Sequence, residues 1–349
     1  MVAAMQAGLP LTTLAPWLAA LVLAGCAGNP QQRPHRDAPP QRAGHAQQPA
    51  VPLQVQAFEV LGRRVVLTRV NAAAGQPVVV YLPGLGQPSD AGQRWHAAWA
   101  EAGYAVLSLQ PLEADAAAWR SELSRSGEFR ELGRLHQGEA AQRDRLAMLA
   151  RLLDALRSAP PTASLDWDHA VLAGYDIGAQ TVLDWPASGW QPQGVIAISP
   201  PPMQPATRLP ALVITSDVDG DPLGLIADPA ERRRSFDAFA PGRGWLLSLS
   251  GVSHAGLSGV RVSEDWAAQD QHKPMVAGGG GMSRGRGAGG GGGDGPRGPM
   301  GGGARGTRSG SLTEAAQANL DEGLRLSTAF LDSQWRGTPL PASPLLTAR

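Results

Sequence analysis

The 349-residue sequence contains only one cysteine and one lysine. Because Cys26 is the single thiol, the chain forms no internal disulfide, and a reactive cysteine elsewhere is excluded. Lys273 is the only lysine, so the basic residues are almost all arginine, which we attribute to coding bias. Thirty basic residues balance thirty acidic ones. A formal charge of zero gives no indication of a nucleic-acid partner or an anionic surface.

Metal-ligand patterns are also missing from the sequence. His35 and His45 stand alone in a polar run, where a solvated role is expected. No second motif accompanies them, so we expect neither a metal nor a cofactor. Most of the other histidines are expected to be structural or solvent-facing: His96, His136, His169 and His272.

The N-terminal region has the features of an export signal. The apolar run from Leu11 to Gly25 is short for a membrane span and contains a proline, but it fits the apolar part of a secretory signal. Its end, Leu23-Ala24-Gly25-Cys26, resembles a bacterial lipobox, although no Lys or Arg precedes the run. This resemblance implies a signal peptide over residues 1–25, lipid attachment at Cys26 and a lipid-anchored place in the bacterial cell envelope, with the membrane as a partner. An ordinary cleaved signal and a later start site are the alternatives.

Composition divides the rest of the chain. Residues 26–52 are rich in Pro, Gln and Arg and predict a flexible tether. A domain is expected over 53–335, followed by a tail over 336–349. Within the domain, 278–310 is a Gly/Arg run that predicts a disordered surface insertion. Its Arg-Gly repeats are similar to those of RNA-binding tails, but the neutral charge of the chain favours no nucleic-acid partner.

Hydrophobic patterning predicts an α/β domain with eight strands. The first two form a hairpin around Leu61-Gly62-Arg63, and the later ones are short, continuously apolar runs typical of buried strands. Helices are expected near 90–102, 139–156, 179–183 and 312–331. The predicted strands are Leu53–Val60, Arg64–Val70, Pro77–Leu82, Tyr104–Leu109, His169–Ala173, Gly194–Ser199, Ala211–Thr215 and Gly244–Ser250.

The fifth strand leads into Gly174-Tyr175-Asp176-Ile177-Gly178 and then a helix. This strand, turn and helix resemble the nucleophile elbow G-x-S-x-G of the α/β-hydrolase fold superfamily, in the variant that carries an aspartate nucleophile, as in haloalkane dehalogenases and epoxide hydrolases. An acidic turn without catalytic meaning is the alternative for this motif alone. The position of the elbow after the fifth of eight strands supports the resemblance. It implies a mostly parallel eight-stranded sheet with helices on both faces.

In that fold the catalytic residues follow the order nucleophile, acid, histidine. The resemblance therefore assigns Asp176 as nucleophile, Asp219 as acid with Asp217 as the alternative, and His254 in the loop after the eighth strand. Two backbone N–H groups, those of Leu85 and Ile177, are assigned by position to the oxyanion hole. Ser89 and Ser253 are weaker nucleophile candidates because neither has the strand-turn-helix setting.

A carboxylate needs no base to activate it, so Asp176 could displace a leaving group at a saturated carbon, after which His254 would activate water to cleave the resulting ester. No large cap domain is expected, because the link from 200 to 210 is short, and an open site is implied unless residues 113–137 supply cover. The sequence supports neither haloalkane dehalogenase nor epoxide hydrolase activity in particular. The residue after Asp176 is Ile177 where the dehalogenases have tryptophan, and no tyrosine falls in a cap.

We expect a small-molecule hydrolase of the envelope whose substrate and oligomeric state are open. A non-catalytic envelope lipoprotein with a degenerate nucleophile is the alternative.

Overall fold

A computed structural model of the protein describes residues 52–260 and 312–349. The predicted signal peptide, Cys26 with its expected lipid, most of the predicted tether, and the Gly/Arg run lie outside the described residues. Within the described residues nine strands form one sheet. They are β1 Gln54–Val60, β2 Arg63–Arg69, β3 Pro77–Leu82, β4 Ala105–Leu109, β5 Asp166–Tyr175, β6 Gly194–Ile198, β7 Ala211–Thr215, β8 Gly244–Ser248 and β9 Leu346–Ala348.

The helices are mostly amphipathic, and the longest ones flank the sheet. They are α1 Gln93–Glu101, α2 Glu113–Ala117, α3 Glu122–Arg125, α4 Phe129–Gln137, α5 Glu139–Ser158, α6 Ile177–Leu183, α7 Arg234–Asp237, α8 His254–Leu257 and α9 Glu314–Arg336. Two 3₁₀ turns, Ala118–Arg120 and Pro229–Arg233, follow α2 and precede α7. No described helix is both long and apolar enough to cross a membrane.

The strand order across the sheet is β1-β2-β4-β3-β5-β6-β7-β8-β9. The strands from β4 to β8 in this order are parallel, and β1, β2 and β9 pair antiparallel at the two edges. Since parallel strands end at the same edge, the loops that follow β3, β5, β6, β7 and β8 come together there. Every residue that the sequence assigns to chemistry within the domain lies in one of these loops or begins the helix that follows it.

The sheet separates two apolar layers, and alternation along β3 shows how. Val78, Val80 and Leu82 face α5 and α6 in one layer, whereas Val79 and Tyr81 face α1 and α9 in the other. All six residues of β3 are buried, as expected for a strand covered on both faces. The prediction of helices on both faces is confirmed.

All eight predicted strands are present, with ends within a few residues of those expected, and the elbow follows the fifth. The tail prediction for 336–349 needs correction, because this stretch adds β9. Leu346 pairs with Leu247, and the N–H of Arg349 donates to the carbonyl of Gly244. The pairing covers the backbone of β8, which would otherwise be an open sheet edge.

Candidate active site

Asp176 lies at the sharp turn between β5 and α6 in a backbone conformation that residues other than glycine seldom adopt. Its φ is 52° and its ψ is −115°. The flanking glycines make the turn possible, because there is no room for a side chain at either. A Cβ at Gly174 would lie 2.3 Å from the carbonyl carbon of Gly178, and one at Gly178 would lie 2.1 Å from the carbonyl oxygen of Leu82. The two glycines of the G-x-D-x-G pattern are therefore a steric requirement of this turn.

The side chain of Asp176 turns away from its own helix. Aspartate is a favoured helix N-cap, but Asp176 makes no side-chain capping bond to α6. Instead the backbone N–H of Leu85 donates to Oδ2 of Asp176 at 3.1 Å, and the residue is 8% exposed. The interpretation of Asp176 as a simple acidic turn or cap residue does not account for this contact.

The loop after β3 is held in place around Leu85. The amide of Gly84 donates to Gln87 Oε1 at 2.9 Å, and Gln110 donates to the carbonyl of Gly84 at 3.1 Å. The N–H of Gly86 donates to the carbonyl of Asp115 at 2.8 Å. The Leu85 amide therefore faces Asp176 from a backbone that is fixed on both sides.

Ile177, the second residue assigned to the oxyanion hole, is fully buried and begins α6. Its N–H is among the first four of the helix, which have no acceptor within the helix. Leu85 and Ile177 also belong to one apolar cluster, so the two assigned residues lie in the same part of the fold.

Of the two candidate acids, Asp219 is the one that contacts His254. Its Oδ1 lies 2.8 Å from Nδ1 of His254, and the residue is fully buried. Asp217 instead accepts a hydrogen bond from the backbone N–H of Gly251 at 2.7 Å, which lowers the pKa of Asp217 below its usual value. Asp217 thus organises the loop that precedes His254.

His254 opens α8, whose N-cap is Ser253. Tyr175 holds it from the other side: its hydroxyl donates to the backbone carbonyl of His254 at 2.9 Å, and the two ring centroids are 5.0 Å apart. Burial raises the pKa of Tyr175 well above its usual value, and the charges of Asp176 and Asp219 raise it further, so Tyr175 remains a donor. Among the described contacts no hydrogen bond joins the side chains of Asp176 and His254, and Tyr175 connects the two. Direct reach between them stays a prediction.

Two residues that the sequence analysis missed complete the surroundings of Asp219. Ser199, at the end of β6, places its Oγ 2.9 Å from Oδ1 of Asp219 and 2.9 Å from Nδ1 of His254. Arg232, 1% exposed, lies 3.2 Å from Oδ2 of Asp219. Arg232 is one of three consecutive arginines, and such a run is typical of a solvated surface. No sequence signal distinguishes the buried one.

The open site that the short 200–210 link implied is not what the structure shows. Leu85 and Ile177 are covered by Ala118, Leu132 and Leu223, the first two of which come from the segment 113–137. The alternative expectation, that this segment supplies cover, is confirmed. The segment 113–137 consists of the three short helices α2, α3 and α4 and one 3₁₀ turn, and is smaller than a cap domain.

A buried polar network joins this cover to the rest of the fold. Asp115 of α2 contacts Nδ1 of His136 at 2.7 Å and the guanidinium of Arg145 at 3.2 Å. Arg145 in turn contacts Thr181 of α6. His136, expected to be structural or solvent-facing, is structural and buried. The described residues contain no cluster of His, Cys, Asp and Glu suited to a metal ion.

The chain has the α/β-hydrolase fold: a mostly parallel sheet between two helical layers, with a strained elbow after the fifth strand. No protein-family model matches the sequence, and no curated protein matches it. Among solved structures it is similar to a dienelactone hydrolase from Anabaena variabilis, with 17% identity over 63% of this chain and 94% of that one and a TM-score of 0.43. The fold assignment rests on the strand order and the elbow rather than on this similarity.

Proposed function

We propose that the protein is a hydrolase that uses Asp176 as a nucleophile on a saturated carbon of a small-molecule substrate, with His254 and Asp219 in the second step. The observation that carries the proposal is the hydrogen bond from the Leu85 N–H to Oδ2 of Asp176. In a serine hydrolase this donor would receive the carbonyl oxygen of the substrate. Here the carboxylate of the protein occupies it.

In the first step Oδ1 of Asp176 would attack the carbon that bears the leaving group. The new bond is an alkyl ester of Asp176, and the leaving group departs with the bonding electron pair. Oδ2 becomes the carbonyl oxygen of this ester and stays on the Leu85 N–H. An ester substrate fits less well, because its carbonyl would compete with Oδ2 for the same donor and attack would give an anhydride.

In the second step His254 would take a proton from water through Nε2, since Nδ1 faces Asp219. The hydroxide attacks Cγ of Asp176, and negative charge develops on Oδ2. Leu85 already donates to that atom, and the N–H of Ile177 would be the second donor. Collapse of the intermediate expels the alkoxide, which takes up the proton from His254 and leaves as the alcohol. Asp176 is left as a carboxylic acid and releases the remaining proton of the water to solvent, which restores the carboxylate. Asp219 stabilises the positive charge on His254 in between.

The site is bordered by apolar side chains. Leu85, Ile177 and Leu223 belong to the covering cluster, and Trp119 stands at the edge of the loop after β3 with 39% of its surface exposed. This setting favours an uncharged substrate. We further propose that the protein acts at the bacterial cell envelope through a lipid on Cys26, as the lipobox resemblance implies.

The test is a hydrolysis screen of the full-length protein on haloalkanes, epoxides and esters, with Asp176→Asn and His254→Ala as variants. The matched controls are Asp144→Asn, at an exposed position of α5, and His169→Ala, at the outer end of β5. We expect activity to be lost in both site variants and kept in both controls. His254→Ala should also accumulate a covalent alkyl ester on Asp176, detectable by mass spectrometry.

The competing function is a non-catalytic envelope protein. The limited exposure of Asp176, 8%, is the observation that favours it. No turnover in any substrate class and no adduct in His254→Ala, in variants that remain as stable as the parent, would contradict the hydrolase proposal and support this alternative.

A further inference from the structure

Ser199 is held in an unusual place between the acid and the histidine. It follows β6 and is fully buried. Its φ is 52°, a value that residues other than glycine seldom adopt. Its Oγ lies 2.9 Å from both Oδ1 of Asp219 and Nδ1 of His254. Those two atoms are themselves 2.8 Å apart. The three polar atoms therefore form a nearly equilateral triangle.

The triangle favours one proton arrangement when Asp219 is ionised. A carboxylate only accepts, so the donors must be the hydroxyl of Ser199 and the ring of His254. The hydroxyl donates to Oδ1, and an Nδ1–H of His254 lies between Oδ1 and Oγ. If the proton of His254 sat on Nε2 instead, the lone pair of Nδ1 would face the carboxylate. The arrangement therefore leaves Nε2 as the basic atom of a neutral His254.

Hydrogen bonds on both sides fix the backbone of Ser199. Its N–H donates to the carbonyl of Ile214 at 2.7 Å, and its carbonyl accepts from Nη1 of Arg232 at 3.0 Å. The same guanidinium contacts Oδ2 of Asp219, so Arg232 ties the two residues together. A glycine would adopt the positive φ without strain, and the chain has a hydroxyl there instead.

We propose that Ser199 is a positioning residue that fixes the Nδ1–H tautomer and the ring orientation of His254. The proposal deepens the hydrolase function above and rests on it for its kinetic consequence. Ser199 itself touches neither water nor substrate in this scheme. Its contribution falls on the second step, in which Nε2 of His254 must accept a proton from water.

The experiment uses the full-length protein and two variants, Ser199→Ala and Ser199→Gly. Both remove the hydroxyl, but only glycine relieves the positive φ, so the pair separates the hydroxyl from the backbone. Selective ¹⁵N labelling of histidine reports which ring nitrogen of His254 carries the proton, at a pH where the imidazole is neutral. We expect the Nδ1–H form alone in the parent and a mixture of the two tautomers in both variants.

Kinetics give the second readout. Cleavage of the Asp176 alkyl ester should slow by about tenfold in both variants, part of what a general base contributes. Formation of the ester should be unchanged, so the covalent intermediate should build up in the mass spectrum.

An unchanged tautomer together with an unchanged ester-cleavage rate in both variants would overturn the positioning role. So would a loss in Ser199→Ala that Ser199→Gly restores, because it would assign the effect to the backbone. If no substrate is turned over even by the parent, the hydrolase function fails, and the ¹⁵N result still decides the role of Ser199.

Discussion

The indole N–H of Trp119 donates to the carbonyl of Leu85 at 2.9 Å, and the amide of the same Leu85 donates to Asp176. A residue of the covering segment thus fixes the peptide group next to the one that faces the carboxylate. A direct hydrogen bond therefore links the covering segment to the loop after β3, so changes in the cover should alter the proposed chemistry at Asp176.

Replacement of Trp119 by phenylalanine removes the indole donor and keeps most of the aromatic surface. The Leu85 carbonyl then loses one hydrogen bond, and we expect a stability loss of only about 1 kcal/mol. The rate of ester cleavage should fall by about tenfold, because the oxyanion donor is less well fixed. Pre-steady-state kinetics and thermal unfolding measure the two effects separately. A rate equal to that of the parent would show that the Leu85 peptide needs no support from Trp119.

A substitution at Gly86 tests the contact between Trp119 and the loop after β3 more strictly. It has φ of 72°, and an added Cβ would lie 1.7 Å from Cδ1 of Trp119. We expect Gly86→Ala to lose about 2–5 kcal/mol, from the strained φ plus the displaced ring, together with most of the activity. The control is Gly62→Ala, with φ of 69° and no atom within 4 Å of the added Cβ. This control should lose only the φ contribution, about 1–2 kcal/mol, and retain activity. Equal losses in the two variants would contradict the steric argument.

The buried Arg145 should be essential for holding the cover in place. Both Arg145 and Asp115 are 1% exposed, so Arg145→Met leaves a buried carboxylate without its strongest partner. We expect a loss of about 3–5 kcal/mol in urea unfolding. Arg143→Met, on the same helix, removes an exposed pair with Glu139 and should cost less than about 1 kcal/mol. The prediction is wrong if the two variants unfold at similar urea concentrations.

The buried His96 should make the folded protein less stable in acid. Burial lowers its pKa from 6.5 to about 3, and its Nε2 has no hydrogen-bond partner among the described residues. Between these pH values the unfolded chain binds a proton that the folded chain does not, so stability decreases as the pH falls below about 6.5, by at most about 1.4 kcal/mol per pH unit. Above that range both states carry a neutral ring, and this contribution is zero.

The variant His96→Phe keeps an aromatic ring against Tyr81, which His96 meets edge-on with centroids 4.7 Å apart. Its stability relative to the parent should be constant above about pH 7 and should rise steadily below about pH 6. Chemical unfolding of both proteins over this pH range measures the difference. A constant difference throughout would show that His96 does not titrate on unfolding.

Much of the fold could be predicted because local signals agree with it. Continuous apolar runs predicted β3 and β7 with the observed ends, since strands buried on both faces have no polar alternation to confuse their limits. The elbow was predictable because Gly174 and Gly178 are needed where backbones touch. β9 was not, because three residues next to prolines and serines carry no periodicity, and pairing with β8 decides their structure.

Some residues of the candidate site could be predicted from the sequence, and others could not. Asp176 and His254 could be assigned from their place in the strand order. Asp219 was favoured over Asp217 from their places in the turn, but both stand in one turn and only the packing shows which is buried. Ser199 and Arg232 depend on contacts between distant segments, and single polar residues in loops give no sequence signal for such contacts.

The described residues end at Val260 and resume at Leu312, and these two points are close. A Cβ at Gly256 would lie 3.0 Å from a side-chain carbon of Leu312, and Arg94 bonds both to Gly259 and to Gln317. The entropy cost of closing a loop grows only with the logarithm of its length. The stability of the sheet should therefore depend little on how many residues connect these two points. Insertions are therefore expected to be tolerated at this position. The segment between Val260 and Leu312 could become longer or shorter, or be replaced by another domain, without a change in the rest of the fold.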